Sequence, residues 1–294
     1  MEQDSNLTGK VCIVTGATSG LGEATALQLA EMNAKVVLVS RDQKKCTRVA
    51  NEIKEQTHNP SIDFLAADLT SQKEIRRVAE EFKSRYNRLD ILVNNAGAIF
   101  FYRTKSADGI EMTFALNHLA YFLLTNLLLD LLIASAPARI INITSAKAQN
   151  AVLNFEDLEF RKSYNGQKAY DQSKLANLLF TYELARRLEG RGVTVNAIHP
   201  GFVETNLGKN NVGIFKPLVS LFHIGGATPQ EGARPIAYLA SSSEVDGVTG
   251  SYFFKEKVSP SLASYYEESA RLLWEISEVK VGLKQPLASG IVAQ

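Results

Sequence analysis

Three glycines spaced Gly16-x-x-x-Gly20-x-Gly22 follow the apolar run Val11-Cys12-Ile13-Val14-Thr15 and open a stretch of helical spacing. That arrangement can hold phosphate. Gly16 permits a tight turn, Gly20 lets the backbone approach a pyrophosphate, and Gly22 lets helix and strand pack closely. The helix that begins there offers N–H donors and the positive end of its dipole, and Thr18, Ser19 and Leu21 complete the turn. The spacing departs from Gly-x-Gly-x-x-Gly, so a glycine-rich turn without a ligand is the alternative reading. The next apolar run ends Val39-Ser40-Arg41-Asp42. An acidic residue about 20 residues past the turn would bond a ribose 2′-hydroxyl. Here Arg41 comes first, where a guanidinium would pair with a 2′-phosphate. Ser40 is small and neutral, and Asp42 is explained as a helix cap. The expectation is NADP(H) in preference to NAD(H), with a solvated surface charge as the alternative for Arg41.

Four further polar segments lie beyond apolar runs: Asn94-Asn95-Ala96-Gly97, Ser145, Tyr170-Asp171-Gln172-Ser173-Lys174 and His199-Pro200-Gly201. The elements that must position them alternate. Strands are expected at 11–15, 35–39, 61–65, 89–93, 139–144, 193–198 and 250–254. Helices are expected at 20–32, 42–56, 71–86, 167–189 and 228–241, with one or two more within 107–134, broken around Gly109. Continuous apolar strands alternating with helices imply an α/β, Rossmann-like doubly wound parallel sheet flanked by helices. The 294 residues leave a choice between one domain and two. No linker cuts the pattern, so a single domain over 1–294 is expected, with an irregular, partly apolar segment at 202–227 and a C-terminal helix at 262–279.

Composition narrows the function. With 32 Lys+Arg against 31 Asp+Glu, the balance offers no basic footprint for nucleic acid. Cys12 and Cys46 read as free thiols of a reducing compartment. Met1–Lys10 carries no apolar core of a secretory signal, and the most apolar window, 118–134, falls short of the roughly 20 residues that span a bilayer. A soluble, cytoplasmic protein is expected. His58, His118, His199 and His223 show no metal-ligand spacing, so no metal site is expected, and no Gly-x-Ser-x-Gly elbow supports a hydrolase.

In this order, the glycine turn and the four polar segments resemble the short-chain dehydrogenase/reductase family over residues 7 to about 255. Thr104-Lys105-Ser106-Ala107-Asp108-Gly109, Asn117-His118-Leu119, Ser173-Lys174-Leu175-Ala176-Asn177 and Glu183-Leu184-Ala185-Arg186-Arg187-Leu188 look like its retinol dehydrogenase branch. The resemblance implies reduction or oxidation of retinoids and related apolar aldehydes, ketones and alcohols, generally with NADP(H). It maps a catalytic tetrad onto Asn117, Ser145, Tyr170 and Lys174. Tyr170 would be the general acid for carbonyl reduction, or the base for alcohol oxidation. A phenol titrates near pH ~10, and Lys174, one helical turn on, is expected to lower it. Ser145, rather than Thr144, would stabilise charge on the substrate oxygen. Asn117 would hold a water in a proton relay from Lys174 to solvent, or act as a structural kink or cap.

The same resemblance places Asp68 on the adenine amino group and Leu69 against the base. It has Asn94 securing the fourth strand's end, and Ala96 and Gly97 beside the adenosine ribose. Pro200, Gly201 and Val203 fall near the nicotinamide, and Thr205 near the pyrophosphate. The apolar run 212–222 reads as a lid over an apolar substrate, as a contact for a membrane surface or partner, or as a segment that simply packs down. Many members carry an N-terminal membrane anchor; this chain begins almost at the first strand. Leu178-Leu179-Phe180 suits either a homo-oligomer interface or burial. The competing readings are a broad-specificity carbonyl reductase of non-retinoid substrates and a non-catalytic NADP-binding regulatory protein on the same fold.

Overall fold

The computed structural model describes residues 6–203 and 226–285. Its frame is an eight-stranded sheet with the order β3-β2-β1-β4-β5-β6-β7-β8. The strands are β1 (Val11–Thr15), β2 (Lys35–Ser40), β3 (Ile62–Ala66), β4 (Ile91–Asn94), β5 (Ala138–Ile143), β6 (Val193–His199), β7 (Ser251–Phe254) and β8 (Lys257–Val258). All neighbours pair in parallel except β7 and β8. β8 is the strand that the apolar pattern misses: its two residues, Lys257 and Val258, are both exposed and carry no periodicity.

The helices are α1 (Gly20–Glu31), α2 (Gln43–Thr57), α3 (Gln72–Arg85), α4 (Met112–Ala134), α5 (Gly166–Arg187), α6 (Pro229–Ser241) and α7 (Glu267–Lys280). Several start where cap chemistry dictates. Asp42, Ser71 and Asn165 each accept a backbone N–H from three residues on, and Thr228 and Glu231 close a reciprocal capping box ahead of α6. The expected tail helix divides into a short 3-10 turn, Leu262–Tyr265, and α7.

Alternation along each strand feeds two cores. Val11, Ile13, Val37 and Val39 join α3, α4, α5 and α7 on one face. Cys12, Val14, Val36 and Leu38 join α1, α2 and α6 on the other. Of the one or two helices expected within 107–134, the structure has one, α4, which starts beyond Gly109. The expectation that this apolar window is too short to span a bilayer is corrected: α4 has 23 residues and is long and apolar enough to cross a membrane by length and composition alone. In this fold it is a core helix, with Tyr121, Phe122, Leu123, Leu124 and Leu128 buried. Chain order reverses beside β1, between β2 and β4, so the crevice of a doubly wound sheet opens beyond the C-terminal ends of these strands.

Candidate active site

The glycine turn is built by close approach. A Cβ on Gly22 would stand 2.4 Å from the Gly16 carbonyl oxygen and 2.4 Å from Asn95 Nδ2, so no other residue fits without moving backbone. Gly20 is the opposite case: its φ is +56°, and nothing lies within 4 Å of where a Cβ would be. Its backbone faces open space at the first turn of α1. Ser19, the N-cap, makes no side-chain cap hydrogen bond, so the orphan N–H donors of that turn remain for a ligand. Thr18 Oγ1 and Ser40 Oγ stand 2.8 Å apart and tie the turn to the end of β2. Thr15 Oγ1 accepts from Asn95 N at 2.9 Å and Ala96 N at 3.0 Å, holding the loop after β4 against the same turn.

These elements wall a cleft of about 910 Å³. Gly16, Thr18, Ser19, Gly20, Leu21, Gly22, Arg41, Asp68, Leu69, Ala96, Gly97, Ser145, Tyr170, Lys174, Pro200, Gly201 and Val203 all line it. Asn94 does not. It is fully buried, and its Nδ2 donates to Thr125 Oγ1 at 3.0 Å and Asn142 Oδ1 at 2.9 Å, so it ties β4 to α4 and β5. Asn117 also lies outside the lining. Thr205 and most of the segment 202–227 fall outside the described residues.

Sequence reasoning missed the roles of Lys45, Asn95 and Lys147, which also line the cleft. Lys45 had a signal: it stands four residues beyond Arg41 on the first turn of α2. Asp42 accepts from Lys45 N at 3.1 Å, as a cap does. At one end, therefore, Ser40, Arg41 and Lys45 face the cleft on the rim of β2 and α2.

At the other end, α5 packs against β5 and β6. Thr144 points into the fold, and its hydroxyl donates to the Lys174 carbonyl at 2.9 Å. Ser145, the next residue, lines the cleft together with Tyr170. Lys174 Nζ donates to the Ile143 carbonyl at 3.1 Å and lies 5.7 Å from the Tyr170 ring centroid.

The electrostatics depart from the sequence expectation. Burial pushes the Tyr170 phenol up to about 12, with the Ser145 hydroxyl pulling the other way, and Lys174 is not a leading influence on it. The reason is that Lys174 is itself desolvated, which draws its ammonium down to about 8. His199 stacks on Phe254 with ring centroids 5.3 Å apart, and burial draws it down to about 4, so it stands neutral on the cleft wall.

Asn117 sits in a π turn, Ala115–Leu119, inside α4. Its Oδ1 accepts from Ala98 N at 2.9 Å, and its Nδ2 donates to Ala98 O at 2.9 Å and Ser173 Oγ at 3.0 Å. A Cβ on Gly97 would lie 3.3 Å from Asn117 Oδ1 and 3.5 Å from Lys174 Nζ, so all three groups converge under the cleft floor. Ile99, Phe100, Phe101, Met112, Leu116 and Phe202 add apolar lining to the cleft that Ser145 and Tyr170 also line.

Comparison with known proteins agrees with this geometry. Residues 10–212 match the short chain dehydrogenase family. The chain is 44% identical over 292 residues to human retinol dehydrogenase 14, covering 94% of this chain and 87% of that one. It is 44% identical over 291 residues to human retinol dehydrogenase 13, covering 96% and 87%. Among solved structures, the RhlG/NADP active-site complex of Pseudomonas aeruginosa superposes with a TM-score of 0.68 at 28% identity, covering 86% and 97% of the two chains. L-sorbose reductase of Gluconobacter frateurii, complexed with NADPH and L-sorbose, gives a TM-score of 0.69 at 27% identity, covering 86% and 97%. The chain belongs to the short-chain dehydrogenase/reductase family of oxidoreductases and is similar to its retinol dehydrogenases.

Proposed function

We propose that this protein is an NADP(H)-dependent oxidoreductase acting on a carbonyl or alcohol of an apolar substrate. One observation carries the reading. Ser145 and Tyr170 line the same cleft as a phosphate-competent glycine turn and a set of apolar side chains.

The residues fit a dinucleotide. The open backbone at Gly20 and the uncapped first turn of α1 would take the pyrophosphate. Arg41, with Ser40 and Lys45 beside it, would take a 2′-phosphate. Asp68 and Leu69 would face the adenine, and Pro200, Gly201 and Val203 the nicotinamide end. Thr205 is a further contact by family resemblance. When bound, the cofactor supplies or accepts a hydride. The protein's own part is proton transfer and charge stabilisation. A phenol held at about 12 keeps its proton at neutral pH and can donate it to a carbonyl oxygen. The Ser145 hydroxyl hydrogen-bonds the same oxygen as charge develops there. Lys174 and Asn117 hold the floor beneath them.

The apolar lining from Ile99 to Leu116, with Phe202, supports an apolar substrate, as do relatives named retinol dehydrogenases. Solved relatives complexed with NADP or NADPH support the cofactor. The run Leu178-Leu179-Phe180 is buried inside the chain, with Trp274 of α7 stacked on Phe180. A homo-oligomer would therefore use another surface. The deciding experiment is a turnover screen with NADPH and with NADH against retinal, aliphatic aldehydes and aromatic ketones. Retinal or long aliphatic aldehydes with NADPH are expected to win. A preference for NADH or for polar substrates would overturn the reading.

A further inference from the structure

A buried chain of polar groups joins the C-terminal helix to the floor of the cleft. The π turn of α4 lengthens the helical hydrogen bond from i+4 to i+5 and leaves a carbonyl short of its ordinary donor. Asn177, three residues beyond Lys174 on α5, reaches that turn: its Nδ2 donates to the Asn117 carbonyl at 2.8 Å. Asn177 Oδ1 pairs with His118 Nδ1 at 3.3 Å, and His118 Nε2 pairs with Ser277 Oγ of α7 at 2.9 Å. The Thr181 hydroxyl donates to the Asn177 backbone carbonyl at 2.8 Å and accepts from Asn142 at 2.9 Å, which anchors the chain to β5. Asn117, His118, Asn177 and Ser277 are all completely buried.

The surroundings make this chain unusual. Phe114, Phe122 and Phe180 ring the His118 imidazole, and Trp274 of α7 packs on Phe122 and Phe180. Buried amides and imidazoles cost free energy unless paired, and an apolar set of the same shape would serve packing as well. A polar chain in such a place does what packing cannot: it sets direction and distance at its far end. That far end is Asn117, whose side chain holds Ala98 by both backbone groups and adjoins Gly97 and Lys174 Nζ.

We propose that Asn177, His118 and Ser277 are positioning residues for the reaction. They fix the height of the Asn117 turn, and through it the Gly97–Ala98 backbone and the Lys174 ammonium, so that the seating of α7 governs turnover. None of the three touches the cleft. The proposal rests on the reading of Tyr170 and Lys174 as the proton-transfer pair.

The test is steady-state kinetics of the full chain with NADPH and retinal or nonanal, for Ser277→Ala, Ser277→Thr, Asn177→Leu, His118→Phe and, in parallel, Tyr170→Phe. Ser277→Ala is expected to lower kcat roughly tenfold, as small misplacements of reacting groups do. KM for NADPH should stay within about twofold, because the chain ends at Asn117 rather than at the phosphate turn. The pH profile of kcat should shift with it, and Ser277→Thr should restore both by returning the hydroxyl. Asn177→Leu is expected to lose more; should it fail to fold, Ser277→Ala decides, since it deletes one oxygen. Unchanged kcat and pH profile in Ser277→Ala and His118→Phe, beside an inactive Tyr170→Phe, would overturn the positioning role alone. Full turnover by Tyr170→Phe would overturn the proton-transfer reading and this proposal with it.

Discussion

Thr144 and Lys174 clasp each other across the junction of β5 and α5. The Thr144 hydroxyl donates to the Lys174 carbonyl at 2.9 Å, and the Lys174 ammonium returns to the carbonyl of Ile143 at 3.1 Å. Two bonds of opposite sense between one strand end and one helical residue fix the rotation of α5. Tyr170, one turn earlier on that helix, is thereby aimed at Ser145, the residue after Thr144.

That aim has a direct consequence for Tyr170→Phe. Removing one oxygen deletes the group that would donate the proton, without changing the ring's packing. Turnover should fall by about 10²–10⁴-fold, the usual range for a general acid. Affinity for NADPH, read by fluorescence titration, should stay within about threefold, because the phosphate turn is untouched. A parallel loss of binding would show that Tyr170 acts by holding the cofactor.

Lys174 carries an opposing pair of effects. Burial draws its ammonium from 10.5 to about 8, so the folded chain holds this proton less tightly than the unfolded chain does. Between pH 8 and 10.5 the unfolded state binds more protons, and stability therefore rises with pH across that window. Below it the charged form is a constant cost of about 3 kcal/mol. Lys174→Met should accordingly raise Tm at pH 7, with the gain shrinking towards pH 10, while turnover falls at least about 10²-fold. Calorimetry at the two pH values checks the sign. A Tm for Lys174→Met below that of the parent chain at pH 7 would contradict it.

Arg41→Ala should separate the two nicotinamide cofactors. A guanidinium on a phosphate contributes roughly 1.5–3 kcal/mol, so kcat/KM with NADPH should fall about 10- to 100-fold. The value with NADH should stay nearly level, since a 2′-hydroxyl gains little from that charge. Ser40 and Lys45, which share the rim, should retain part of the preference. Equal losses with both cofactors would mean that Arg41 reads no 2′-phosphate.

Gly22→Ala tests the turn itself. Its Cβ would sit 2.4 Å from the Gly16 carbonyl oxygen, a backbone atom that cannot swing aside, and 2.4 Å from Asn95 Nδ2. Forcing α1 off β1 should cost about 1–3 kcal/mol of stability and displace the N–H donors of the first turn. Denaturant unfolding should report the first effect, and weaker binding of either cofactor the second. Gly20→Ala should act through backbone strain at φ +56° instead, since its Cβ would meet nothing within 4 Å.

Much of this was legible in the sequence because it is local. Strand–helix alternation, the cap at Asp42 and the glycine turn depend on residues within a few positions of one another, where period and hydrogen-bonding capacity decide. The order of motifs placed Ser145, Tyr170 and Lys174 at one end of the sheet. What the chain alone could not show was set by contacts between distant residues. Thr15 holds a loop 80 positions away, at Asn95. His118 meets Ser277 across 159 positions, which ties the C-terminal helix to the turn that carries Asn117. The titration of Lys174 and Tyr170 followed the same rule: their spacing put them on one face, but only packing determined how far water was excluded, and burial outweighed the attraction that spacing alone predicts.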